Sequence, residues 1–512
     1  MSAGEIRHLV IAGGGTAGWM TACALSYLLP KTVRITLIES DEIGTVGVGE
    51  ATIPPIVTFN QMLGIDEDAF LKATHGTFKL GIEFVGWGKA DGRYMHPFGA
   101  YGVDMKGIRF HQFYLALKQA GVADIGRLED YCLSATAAYQ GRFVRPPSDA
   151  GEVLSTLKYA FHFDAGLYAR FLRQRSEAQG VTRLEGRIGE VTLNSGSGHI
   201  ESLTLEGERV VAGDLFIDCT GFRGLLIEGA LKTGYQDWRS WLPCDRAWAV
   251  PCASVGPPTP YTRSTADAAG WRWRIPLQHR TGNGYVFASD FISEAAARER
   301  LLASLDGPAL AEPRLLKFVT GRRNLFWNKN CVAIGLSGGF LEPLESTSIH
   351  LIQAAIAKLV ALFPDQGFNP AERDEYNQTT ITQFEQVRDF IIAHYKVTER
   401  EDTPFWAHCR AMTPPDSLAH KLALYRHRGR LIRHDDDLFA ENSWLAILDG
   451  QGIAPEGHDI LVDALPQADI IDNLRHIRGA VLATAKALPT HQGFLDRFCR
   501  SEAAALPLKI PV

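Results

Sequence analysis

The chain has 512 residues, 46% of them hydrophobic and 21% charged, and carries a net charge of −6. That length buries a large core and normally divides into two or more structural units. The negative balance gives no case for nucleic acid as a partner, which would call for a basic surface, although net charge is blind to a local basic patch.

The eight cysteines (23, 132, 219, 244, 252, 331, 409 and 499) are scattered. None forms a Cys-x-x-Cys pair, so neither a metal site nor a redox dithiol is indicated. They read as buried small hydrophobes of a reducing cytoplasm. The N-terminus runs within a few residues into an apolar strand, leaving no room for a signal peptide. No apolar run reaches the roughly 18 residues needed to span a bilayer. The expectation is a cytoplasmic protein with no membrane contact.

In chain order, His8–Ala12 is a short apolar run followed by Gly13-Gly14-Gly15-Thr16-Ala17-Gly18. Residues 16–29 then repeat apolar positions at helical spacing, and 33–38 read as a strand ending in Glu39. Strand, tight turn, helix, strand is the opening of a doubly wound α/β sheet. Further strands are expected at Ile200–Leu205, Leu215–Asp218 and 330–334. Trp- and Arg-rich stretches between them suggest a second layer. From about Pro364 the texture becomes helical, with long periodic segments at 373–400, 417–433 and 468–487. No flexible linker intervenes, so the expected division is an α/β body over 1–365 and a helical region over 366–512 packed on it.

Gly13, Gly15 and Gly18 fit G-x-G-x-x-G, a turn whose backbone N–H groups and helix start approach a pyrophosphate. Glu39, 21 residues beyond Gly18, is placed to accept from ribose hydroxyls. Three other segments stand out. Trp271-Arg272-Trp273-Arg274-Ile275-Pro276 sets two tryptophans on one side of an extended chain, where large aromatics are usually core. Lys79 lies between Phe78 and Leu80, a context that ordinarily means a snorkelling surface lysine. In Glu342-Pro343-Leu344-Glu345-Ser346-Thr347-Ser348, Glu345 precedes a helix, where a carboxylate commonly complements the dipole.

Together these segments resemble the signatures of the flavin-dependent halogenases, the tryptophan halogenase family. The likeness extends over nearly the whole chain, including Ala393-His394-Tyr395-Lys396 and Arg400-Glu401-Asp402-Thr403-Pro404. It implies an FAD-binding doubly wound fold, like that of glutathione reductase and the aromatic hydroxylases, with a helical C-terminal substrate region. FAD would contact Gly13, Gly15, Thr16, Ala17, Gly18 and Glu39, the loop residues Val48 and Ala51, and Gly335 and Leu336. Leu215–Asp218 and the following Cys219-Thr220-Gly221 resemble a second dinucleotide-contact segment. Only one clear nucleotide loop is present, which implies FADH2 delivered by a separate NADH-dependent flavin reductase.

The resemblance further implies that reduced flavin and O2 form a C4a-hydroperoxide, which oxidises halide to hypohalous acid. Lys79 would hold the hypohalous acid or become a haloamine. Glu345 would face it across the substrate pocket as base, with Ser346 positioning both. The Trp271, Trp273 and Pro276 motif would keep substrate away from the flavin. Thr347 and Ser348, at a helix start, would hold the halide. Serine stands at 348 where the commonest pattern has glycine, so chloride or bromide is an open choice and bromide the favoured one. His96, Pro97, Phe98, Phe439 and Trp444 would wall the aromatic substrate.

The free-tryptophan enzymes carry a Tyr-rich lid in this region, whereas residues 434–443 hold no tyrosine. That points to indole, an indole derivative or another aromatic instead. A flavin-dependent aromatic hydroxylase is the main alternative, and a non-catalytic flavoprotein a lesser one. Monomer and homodimer both remain open.

Overall fold

The computed structural model describes residues 4–42, 49–147, 149, 151–433 and 437–501. Its centre is a six-stranded sheet ordered Trp327–Asn328, Cys331–Ala333, Leu215–Asp218, His8–Ala12, Arg34–Glu39, Thr182–Glu185, parallel except for the first pair. Leu9, Val10, Ile11 and Ala12 are all buried, as a parallel strand covered on both faces requires. The helix Thr16–Leu28 packs on one face beside Ala165–Ala178 and Ser348–Ala361. On the other face Val10, Ile38 and Phe216 meet Ile200, Leu203 and Leu205 from a separate three-stranded sheet. The doubly wound reading holds.

A second, seven-stranded sheet runs Arg314–Lys317, Arg246–Cys252, Thr281–Phe287, Gly270–Pro276, Thr262–Asp267, Gly81–Val85, Arg93–Pro97. It carries the tryptophan motif. Trp271 and Trp273 are both buried, with ring centroids 6.2 Å apart. Trp273 fits because Gly284 lies opposite it in register: a Cβ there would sit 2.1 Å from the indole. A small antiparallel sheet of Gly49–Ala51, Ala160–Asp164 and Thr77–Lys79 connects this sheet to the doubly wound body.

Among the described residues no strand follows residue 340. The 27-residue helix Pro370–Lys396 starts where the Asn369 side chain caps it. It is about 40 Å long at 1.5 Å per residue, enough to link both sheets. Near its start Tyr376 packs edge-on against Trp327, and at its end His394 and Tyr395 reach Phe84 and Trp87. The helix expected over 417–433 occupies Asp416–Arg428 instead. Gly429 adopts φ +62°, a left-handed stop that ends it five residues early. All eight cysteines are free and buried. No described helix is long and apolar enough to cross a membrane.

Candidate active site

The glycine loop has the shape that a dinucleotide needs. Gly13 takes φ +106°, and a Cβ on it would lie 2.3 Å from the Cys219 carbonyl oxygen, so only glycine closes this turn. Gly18 packs equally tightly on the Gly13 carbonyl, while a Cβ on Gly15 would meet nothing within 4 Å. That opening lies at the N-cap of the helix starting at Thr16, where no side chain caps the free N–H groups. Gly335 closes against Ala17, which brings the Gly335–Ser337 turn and Leu336 to the same junction. Glu39 lies over Gly14 and accepts from the Trp19 indole at 3.2 Å and from Arg173 and Arg183. A carboxylate so held keeps acceptor capacity for a ribose.

The residues fit FAD. Asp218, by contrast, spends both oxygens on Thr220, Leu226 and Ile227 and acts as an anchor of the fold. Val48 lies outside the described residues. Ala51 is buried at the end of its strand, next to Thr52, whose carbonyl faces the lysine described next.

Lys79 is fully buried, not snorkelling. Its Nζ donates to the Thr52 carbonyl at 3.0 Å and to Ser346 Oγ at 2.8 Å, and lies 5.1 Å from the centre of the Phe98 ring. Burial pulls its pKa from the usual 10.5 down to about 7, against the opposing pull of the Glu345 charge. A neutral amine has two hydrogens. Two acceptors take them, which leaves the lone pair free.

Ser346 is set by the backbone: a short 3-10 turn over Pro343–Glu345 ends in Ser346 at φ +59°, left-handed and unusual for a non-glycine residue. The turn sends Ser346 toward Lys79 and Glu345 elsewhere. Glu345 makes no ion pair with Lys79. Its Oε2 takes a hydrogen bond from His96 Nδ1 at 2.8 Å, and His394 Nε2 stands 2.8 Å from Oε1, off the line of a straight hydrogen bond. Burial alone would raise the Glu345 pKa; the two histidines more than offset it and bring it to about 2. The group is an ionised carboxylate in a closed site.

Thr347 is the N-cap of Ser348–Ala361, but no side chain caps that helix. Thr347 Oγ1 is buried without a hydrogen-bond partner, an unfilled polar position at a helix start. Trp271 Nε1 donates to Glu342 Oε2 at 2.9 Å, and Tyr395 OH to the same oxygen at 2.6 Å, tying the tryptophan motif to the Glu345 segment. The Pro276 carbonyl accepts from Thr77, two residues before Lys79.

An aromatic wall rises beside Glu345. The His96 ring lies 5.7 Å from Phe390 and 6.3 Å from Phe439; Phe439 stacks on Phe390 at 3.7 Å, and Trp444 meets Phe390 edge-on at 4.9 Å. Pro97 is buried on the edge strand, opposite Gly81. Residues 434–436 lie outside the described residues. Sequence reading missed Phe390 and His394 as site residues. They are four apart on one helix face, and a histidine on such an apolar stripe was the available signal.

The chain matches the family model "Tryptophan halogenase" over residues 8–467. It is 49% identical to the solved flavin-dependent halogenase Xcc4156 from Xanthomonas campestris, with a TM-score of 0.94 and coverage of 98% of this chain and 99% of that one. The flavin-dependent halogenase BrvH from Brevundimonas sp. BAL3 gives 46% identity and a TM-score of 0.92, covering 96% of this chain and 99% of its own. Tryptophan 6-halogenase SttH of Streptomyces toxytricini is 37% identical over 441 residues, 82% of this chain and 83% of that protein. With a family model spanning most of the chain, and relatives matched nearly end to end, this protein belongs to the tryptophan halogenase family of flavin-dependent halogenases.

Proposed function

We propose that this halogenase installs bromide or chloride on an electron-rich aromatic of the indole type, not on free tryptophan, using Lys79 as halogen carrier and Glu345 as base. The observation that carries the reading is Lys79: buried, with both amine hydrogens occupied by Thr52 and Ser346 and its pKa drawn to about 7. Like the family, the enzyme uses FADH2, O2 and halide, and it needs a separate flavin reductase. Gly13–Gly18, Glu39, Gly335 and Leu336 would hold the reduced flavin, whose chemistry with O2 and halide would supply the hypohalous acid that the remaining residues direct. The uncapped helix start at Thr347 and Ser348, with the unpartnered Thr347 Oγ1, suits a bound halide.

The Lys79 lone pair attacks the halogen of the hypohalous acid. A nitrogen–halogen bond forms, the halogen–oxygen bond breaks, and water leaves with one amine hydrogen. The aromatic ring, held by His96, Phe98, Phe439 and Trp444, then takes the halogen from nitrogen. Glu345 removes the proton from the halogenated ring carbon, while the lysine nitrogen regains a proton. Ser346 fixes the nitrogen by its hydrogen bond. Eight free, buried cysteines support a reducing cytoplasm as the location.

Halogenated product per flavin oxidised should rise with pH through about 7 and then level, because Lys79 is an ammonium below that value and a free amine above it. A fall over the same range would assign the work to the ammonium instead. The substrate reading is tested by supplying indole and tryptophan in competition, with bromide and a flavin reductase. Bromoindole should exceed bromotryptophan by at least about tenfold. Equal or reversed yields would return the enzyme to free tryptophan.

A further inference from the structure

Glu345 must stay ionised in a place where burial opposes the charge, so the groups behind its two histidines matter. Gln451 lies just beyond the helix Glu441–Gly450 and is buried. Its Nε2 donates to the His394 backbone carbonyl at 3.1 Å and to Tyr94 OH at 3.1 Å. The first contact orients the amide, since a flipped Gln451 would set two carbonyl oxygens against each other. The Tyr94 oxygen therefore accepts from the amide, and its own hydrogen is left for His394 Nδ1 at 3.3 Å. That puts the His394 hydrogen on Nε2, the nitrogen 2.8 Å from Glu345 Oε1. The other tautomer would turn a lone pair toward a carboxylate oxygen at that distance. Burial lowers the His394 pKa and so favours the neutral ring, whose tautomer decides which face Glu345 meets.

We infer that Gln451, Tyr94 and His394 form a one-way hydrogen-bond chain that positions the general base, holding His394 as its Nε2–H tautomer so that Glu345 stays ionised and aimed at the ring. The inference rests on the reading of Glu345 as base. The three residues come from a strand, the end of the long helix and a turn 57 residues further on, all buried. Apolar side chains would fill this space without the desolvation cost of a polar chain. Tyr94, His394 and Gln451 are positioning residues; of these four groups only Glu345 meets the substrate.

Tyr94→Phe removes one oxygen and keeps the ring, which stacks on Phe84 at 5.0 Å and lies against Gly450. The holoenzyme, with reductase and bromide, is given indole or fully ring-deuterated indole. Tyr94→Phe should lower kcat about tenfold with KM for indole unchanged. The ratio of rates with light and heavy indole should rise above that of the unaltered enzyme, because loss of the ring proton has become slow.

Unchanged turnover overturns the inference; so does slower turnover with an unchanged isotope ratio, which would mark a merely structural tyrosine. Gln451→Met is the second variant and should move both quantities in the same direction. The 15N shifts of His394 report the tautomer directly in either variant. Glu345→Gln is measured alongside. If it too is unaffected, the base reading has failed; if it alone is slow, the chain has failed and the base stands.

Discussion

Lys79→Ala abolishes halogenation while FAD binding and flavin oxidation continue: this is the largest effect the site leads us to expect. The lysine nitrogen bonds to Thr52 and Ser346 and faces Phe98, and none of these belongs to the Gly13–Gly18 loop. Removing it takes away the only group argued to carry the halogen, and losing a nucleophile that acts in the covalent step costs at least about 1,000-fold, or about 4 kcal/mol. Alanine also leaves a cavity in a closed core. Lys79→Met controls for this, since it restores volume without an amine and lifts the burden of a buried ionisable group. Both variants should give no halogenated aromatic in mass spectra, and free hypohalous acid should leak to a trapping reagent in solution. Normal product from Lys79→Met would remove the lysine from the chemistry.

Glu345→Gln is the second. The amide keeps the shape and its oxygen can still accept from His96, but it cannot take the proton from the halogenated ring. A fall in kcat of about 100-fold, or about 2.7 kcal/mol, is expected, with KM for the aromatic little changed. His96 and His394, which now depress the carboxyl to about 2, would face a neutral partner. The cost to folding should therefore be visible as a lower Tm as well. Turnover at the unaltered rate would end the role of Glu345 as base.

The nucleotide half was legible because its signals are local. Gly13 and Gly15 lie between a strand and a helix and Gly18 in the first turn of that helix; Gly13 and Gly18 have no room for a side chain, and Gly15 faces open space. Lys79 was legible only through family resemblance. Its own neighbours, Phe78 and Leu80, suggest a surface lysine, and its burial is decided by strand pairing with Ala160 and by Ser346, 267 residues away.

The same distance hid Phe390 and His394. Helical periodicity places them on a buried face but does not say that the face ends at Glu345 rather than in ordinary core. The seven-stranded sheet was only hinted at, because its register depends on matches such as Gly284 against Trp273 across a hairpin. Ser346 at φ +59° had no sequence signal, since serine does not demand that backbone.

The most direct test of the account is the mass of the product that the unaltered enzyme makes from indole with FAD, a flavin reductase, NADH, air, catalase and bromide. The account predicts the paired isotope peaks of a monobrominated indole, present only when bromide is supplied. A gain of one oxygen with no halogen, independent of bromide, would contradict it and make the protein a hydroxylase built on the halogenase fold.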